Sequence, residues 1–218
     1  MLHLHYHPSD ASLMPHIFLE ELGVPFELKW VDRANNAQKS PDYLKLNPNG
    51  LVPVLVDGDL VLYETGAILL HLADTHPQAQ MLPPVGSAAR AQVYKWMFWL
   101  SNTLHANITV YYYSQRYVAD GNTGGASEVK ARAETRIGLL LDQLDQQLQH
   151  SGGPWLLGRD YSPADCMAFV LSCWTRNFER PAHTRPHLGP YLQRMQARPA
   201  VQRAATTEQL PPSFFVKN

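Results

Sequence analysis

Hydrophobic and polar positions change rhythm partway along the chain. At the start, Leu2, Leu4 and Tyr6 fall on one face of a short strand and His3, His5 and His7 on the other, a period of two. A helix is predicted from Ser12 to Glu21 or Leu22, stopped by Gly23 and then Pro25. Pro15 is compatible with it, because first-turn N–H groups have no intrahelical partner. Phe26 to Val31 alternates again and reads as a second strand. Val52–Val56 and Leu60–Tyr63 flank Asp57-Gly58, which indicates a tight hairpin. A helix is expected next, from about Glu64 to Thr75.

Beyond this point the period becomes helical. Pro77 to Ser87 contains three prolines and a glycine and reads as a linker. Ala88 to about Val118 is predicted as one long aromatic-rich helix, and Ala119 to Ala126, with three glycines, as a loop. Glu128 to His150 is amphipathic, with Ile137, Leu140, Leu141, Leu144 and Leu148 on one face. The pattern therefore predicts an α/β domain over residues 1–76, a linker over 77–87 and an all-helical domain over 88–218.

Composition narrows the classes. The chain has 218 residues, 45% hydrophobic and 17% charged, enough apolar material for a core. Its 18 Lys and Arg against 19 Asp and Glu give a net charge of −1, which offers no electrostatic attraction to nucleic acid or an anionic membrane. No apolar run approaches the roughly 18 residues of a membrane span, and the first residues lack the pattern of a signal peptide. A cytoplasmic protein is expected. Cys166 and Cys173 sit seven residues apart in one predicted helix. Their separation of about 10 Å along the axis is too long for a disulfide, so they are expected to be buried thiols.

Three places carry candidate chemistry. Val52-Pro53 opens a strand; a cis bond there would turn the Val52 N–H and C=O toward an extended peptide ligand, and a plain strand-opening proline is the alternative. Glu64-Thr65 begins a helix, whose free N–H groups and hydroxyl suit a carboxylate while Glu64 suits an ammonium group; an ordinary cap is again the alternative. Ser12 follows Ser9-Asp10-Ala11 at a helix start, where a hydroxyl either donates to an anion or caps the helix. Ser162-Pro163-Ala164-Asp165 is a capping-box variant with a structural task. His3, His5 and His7 share a strand face, but packed or hydrogen-bonded histidines are the default and no metal is expected.

Asn47-Pro48-Asn49-Gly50-Leu51-Val52-Pro53, with Asp57-Gly58 and Glu64-Thr65, resembles the glutathione-binding segment of cytosolic glutathione transferases. The linker position, Ser162-Pro163-Ala164-Asp165 and Arg198-Pro199-Ala200-Val201 fit the same family. Tyr6-His7-Pro8 with Ser12-Leu13-Met14-Pro15-His16 is most similar to its bacterial beta class. The resemblance implies a thioredoxin-like N-terminal domain, an all-helical C-terminal domain, a homodimer, a cis Val52-Pro53 bond, and glutathione held by Val52, Pro53, Glu64 and Thr65. It also implies detoxification of a small hydrophobic electrophile bound against the helical domain. Two positions depart from the pattern. Ala11 stands where the beta class has cysteine, which removes the attacking thiol of a mixed-disulfide reaction, and Leu51 stands where a polar glutathione contact is common.

On this resemblance Ser12 is the expected activator of the glutathione thiol, with Ser9 and Tyr6 behind it. A thiol of pKa about 8.5 is only ~3% ionised at neutral pH, and lowering it by two units requires about 2.7 kcal/mol. One hydrogen bond to a charged group, about 1.5–3 kcal/mol, with a helix dipole beside it can supply that. His105 is carried over as a neighbour of the sulfur. Tyr112 and Tyr113 are adjacent, so they cannot share a helix face; at least one is expected to line a pocket or an interface, and both are candidates for the second-substrate pocket. The competing expectations are a non-catalytic interaction protein on the same fold and a glutathione-dependent isomerase or dehalogenase.

Overall fold

The structure, a computed structural model, describes residues 1–215. They form two compact units: Met1–Pro83 with Gln196–Pro212, and Pro84–Met195 with the chain from Ser213 onward. The change at Pro83-Pro84 falls within the proline-rich segment read as a linker. The late return of the chain to the first unit was not foreseen.

In the first unit, β1 (Leu2–Tyr6), α1 (Leu13–Leu22), β2 (Phe26–Trp30), α2 (Pro41–Leu46), β3 (Val54–Asp57), β4 (Leu60–Tyr63) and α3 (Thr65–Thr75) follow in order. The sheet order is β2-β1-β3-β4, with β1 parallel to β2 and antiparallel to β3, and β3 antiparallel to β4. This is a thioredoxin-like sheet. Parallel neighbours need a crossover, which α1 supplies; antiparallel ones need only a turn. Asp57 opposes Leu60, so Gly58 and Asp59 form the hairpin loop, and Gly58 adopts φ 58°, which a residue without Cβ takes without strain. Gly23, at φ 64°, ends α1 by donating its N–H to Leu19.

One face of the sheet carries Val54, packed with Val31 and with Tyr43 of α2. His5 is on this face, its ring edge-on to Tyr43 at 5.8 Å, and burial lowers its pKa. Leu4 and Leu55, fully buried, point the other way. The helix α2 was not predicted: it is short, and its apolar residues are too few to show a period. From the returning segment, α9 (Pro199–Thr207) packs on α1. Arg198 forms a two-pronged pair with Glu21, one prong at 2.8 Å, and Arg203 pairs with Glu20.

The second unit contains α4 (Ala88–Trp99), a π-helical stretch (Leu100–His105), α5 (Ala106–Tyr112), α6 (Thr123–His150), α7 (Pro163–Cys173) and most of α8 (Leu188–Gln196). The predicted long helix is thus continuous only to Tyr112, with a wider turn inside it, and Ser114–Tyr117 is a separate short 3-10 turn. The predicted loop 119–126 is also corrected. Helix α6 starts at Thr123, because the Asn122 side chain accepts the Gly125 N–H at 2.9 Å and so offsets the poor helix propensity of two glycines. All eleven residues of α7 are buried, as a helix apolar on every side requires. Its Cys166 and Cys173 are buried and not joined in a disulfide, and burial pushes Cys173 up to about 12.

Asp165 ties α7 to its surroundings. Its carboxylate accepts the Ser162 N–H and hydroxyl at 2.9 and 3.0 Å, the Leu156 N–H at 2.9 Å and the Tyr191 hydroxyl at 3.0 Å. Burial raises its pKa while those donors pull it down. Among the described residues no helix is long and apolar enough to cross a membrane.

Candidate functional site

The strand registers gather the candidate residues of the first unit at one end of the sheet. His5 pairs with Val54, and Val54 with Tyr63. Tyr6 and His7 therefore leave β1, Val52 and Pro53 lead into β3, and Glu64 and Thr65 follow β4, all at the same end. The Val52-Pro53 bond is cis. The ladder stops at Val54, and the Val52 N–H and C=O make no hydrogen bond among the described residues. A backbone donor and acceptor with no partner on a sheet margin is an edge ready for one more extended chain.

Beside that edge, Glu64 has φ 74°, a strained value for a residue with a side chain. Its side chain is exposed. Thr65, 8% exposed, opens α3 with no side-chain cap, so the first N–H groups of that helix are available to an anion. Leu51 is 55% exposed. Its carbonyl is held from behind by the Tyr43 hydroxyl at 3.0 Å and the Asn47 side chain at 2.8 Å. Sequence reasoning passed over Tyr43, whose place on the unseen α2 gave no signal.

The turn from His7 to Ser12 completes this end. Ser12 is fully buried. Its hydroxyl donates to the His7 carbonyl at 3.0 Å and accepts the His7 N–H at 3.1 Å. It does not cap α1, and in this arrangement its only proton is engaged. The N–H groups of Ala11 and Ser12 make no hydrogen bond among the described residues. Ser9 adopts φ 63° and donates its N–H to Glu208 at 2.9 Å. Asp10, a carboxylate that would oppose a nearby anion, is paired with Arg33. Burial, reinforced by the Glu208 carboxylate, raises the Tyr6 pKa, so its hydroxyl stays protonated. His3 lies against Glu27 at 3.3 Å, and His7 Nδ1 against the Val31 carbonyl at 3.0 Å.

In the second unit, His105 and Tyr112 meet at Trp174, which sequence reasoning did not single out. The His105 ring tilts against Trp174 at 5.4 Å, and the Tyr112 hydroxyl donates to the Trp174 carbonyl. Burial lowers the His105 pKa, so the ring is largely neutral at neutral pH. The Arg116 guanidinium lies 4.0 Å over the ring of Tyr113. A hollow of about 950 Å³ in this unit is an open groove between α5 and α6 lined by residues that include Asn107, Val110, Arg132 and Arg136; none of His105, Tyr112 and Tyr113 lines it.

In the first unit, then, a thioredoxin-like sheet carries an unpaired backbone edge next to a helix start and a strained acid. Residues 2–74 match the family described as glutathione S-transferase, N-terminal domain, and residues 105–204 match glutathione S-transferase, C-terminal domain. The chain belongs to the glutathione S-transferase family. It is 34% identical over 207 residues to glutathione S-transferase GST-4.5 of Xanthomonas campestris pv. campestris, covering 95% of this chain and 98% of that one. Against a glutathione transferase homolog from Sulfitobacter, solved with bound glutathione, the TM-score is 0.87 at 29% identity, covering 96% and 99% of the two chains. BphK, a bacterial glutathione transferase solved as a ternary complex, gives 0.83 at 34% identity, covering 95% and 100%.

Proposed function

We propose that this protein binds glutathione along the Val52 edge and ionises its thiol for attack on a small hydrophobic electrophile. The observation that carries the reading is the unpaired N–H and C=O of Val52 behind a cis proline. The cysteinyl backbone of glutathione offers the complementary pair of groups. The γ-glutamyl end carries both a carboxylate and an ammonium group, which suit the first N–H groups of α3 with the Thr65 hydroxyl, and the Glu64 carboxylate, respectively. Leu51 and Pro53 flank that backbone.

The sulfur then falls over the turn between Tyr6 and Ser12. With the Ser12 hydroxyl committed to His7, the donors we assign to the thiolate are the Ser9 hydroxyl and the N–H groups of Ala11 and Ser12. The pair Asp10–Arg33 removes the nearest opposing charge. In the reaction the thiolate electron pair forms a bond to an electrophilic carbon, and the leaving group departs with its own pair. His105 and the tyrosines Tyr112 and Tyr113 are assigned to the electrophile's side. The family also carries the expectation of a cytoplasmic homodimer. Exposed Phe98 on α4 and Leu60 and Val61 on the edge strand β4 are apolar surfaces that a second copy would cover.

Glutathione conjugation assayed against a panel of small electrophiles tests the reading. Turnover that Glu64→Gln lowers mainly through a higher KM for glutathione is expected. Glutathione binding without turnover of any electrophile would leave a binding protein. Isomerisation or dehalogenation that returns the glutathione would assign the same site to that chemistry.

A further inference from the structure

Glu208, on the chain that returns to the first unit after α9, reaches the turn assigned to the thiolate. Its side chain is completely buried and both oxygens are engaged. Oε2 accepts the Ser9 N–H at 2.9 Å, and Oε1 lies 2.7 Å from Nδ1 of His16. The other His16 nitrogen, Nε2, is buried without a partner, the ring standing edge-on to Tyr6 at 6.3 Å and Phe26 at 5.7 Å. An unpaired lone pair costs less there than an unpaired N–H, so the proton belongs on Nδ1, donated to Glu208.

Burying a carboxylate this deeply is unfavourable unless its acceptors are filled, and here they are filled by groups of the turn and of α1. Ser9 has φ 63°, a value that a residue with a side chain keeps only where its surroundings hold it. The Ser9 N–H bond to Glu208 is such a hold. The other links of this segment, Arg198 with Glu21 and Arg203 with Glu20, lie at the far end of α1 and do not touch the turn.

We propose that Glu208 is a positioning residue for the thiolate turn. Backed by His16, it fixes Ser9 and so holds in place the turn that carries the Ser9 hydroxyl and the Ala11 and Ser12 N–H groups. The inference rests on the glutathione reading above. The titratable groups around the turn are Tyr6, His7, Asp10 with Arg33, and His16 with Glu208.

Two substitutions separate geometry from charge. Glu208→Gln loses the charge but keeps an oxygen for the Ser9 N–H, with its amide NH2 toward His16, whose ring proton then moves to Nε2. Glu208→Asp keeps the charge but is one methylene too short to span both. Arg203→Ala loosens the same segment away from the turn. The readout is the pKa of enzyme-bound glutathione, from thiolate absorbance, together with kcat. We expect Glu208→Asp to raise that pKa by about one unit and lower kcat about tenfold near pH 6.5, with Glu208→Gln and Arg203→Ala close to the unsubstituted protein. Glu208→Gln alone changing the pKa would overturn positioning in favour of charge. Equal pKa values in all four proteins, with only stability changed, would overturn it in favour of a purely structural clasp. Failure of the unsubstituted protein to bind glutathione would defeat the function itself, and is seen before any variant is made.

Discussion

The Ser12 hydroxyl and the His7 backbone close on each other, donating to the carbonyl at 3.0 Å and accepting the N–H at 3.1 Å, with Ser12 wholly buried. Ser12, the expected activator of the thiol, therefore holds the turn rather than facing outward. Ser12→Ala leaves the His7 groups without this partner and is expected to cost about 1–3 kcal/mol of stability, read from denaturant midpoints. It should leave the thiol pKa of bound glutathione nearly unchanged. Ser9→Ala should raise that pKa by about a unit. A large pKa rise in Ser12→Ala alone would return the role to Ser12.

Asp165 accepts from four donors within the second unit. Asp165→Asn keeps the size but turns an amide toward groups that all donate. With several buried donors left unpaired at about 1–3 kcal/mol each, a loss of at least about 3 kcal/mol is expected. A midpoint within the scatter of surface substitutions would show that the network contributes little.

Burial holds the His105 pKa below its ordinary value. The unfolded chain restores it to about 6.5, so between the folded pKa and that value the unfolded state binds more protons. Stability attributable to His105 therefore rises with pH through that window and is level above it. His105→Gln should flatten the rise in unfolding free energy below about pH 6.5 relative to the unsubstituted protein. Identical slopes would mean that the ring is not held neutral.

Much of the first unit was legible because its signals are local. Leu2 and Leu4 alternate with His3 and His5, Gly23 stops α1, and Gly58 turns the hairpin. The segment through Val52, Pro53, Glu64 and Thr65 was legible too, since cis-proline edges and helix starts leave marks in neighbouring residues. What failed was non-local. Whether Ser12 caps, activates or locks depends on the path of His7 after β1, which no period reports. Glu208 and His16 lie far apart in sequence, and only the return of the chain along α1 joins them. The helix start at Thr123 was missed because a single Asn122 cap outweighs two glycines.

In the proposed function, glutathione occupies the Val52 edge with its γ-glutamyl end on Glu64 and Thr65 and its thiol ionised over the Ser9–Ser12 turn. That reading is tested most directly by calorimetric titration with glutathione, paired with thiolate absorbance of the complex from about pH 5 to 9. The account predicts saturable binding, weakened roughly tenfold by Glu64→Gln, and a thiolate signal that persists below neutral pH. Absence of binding at millimolar glutathione, or a bound thiol that ionises only near its free value of about 8.5, would contradict it.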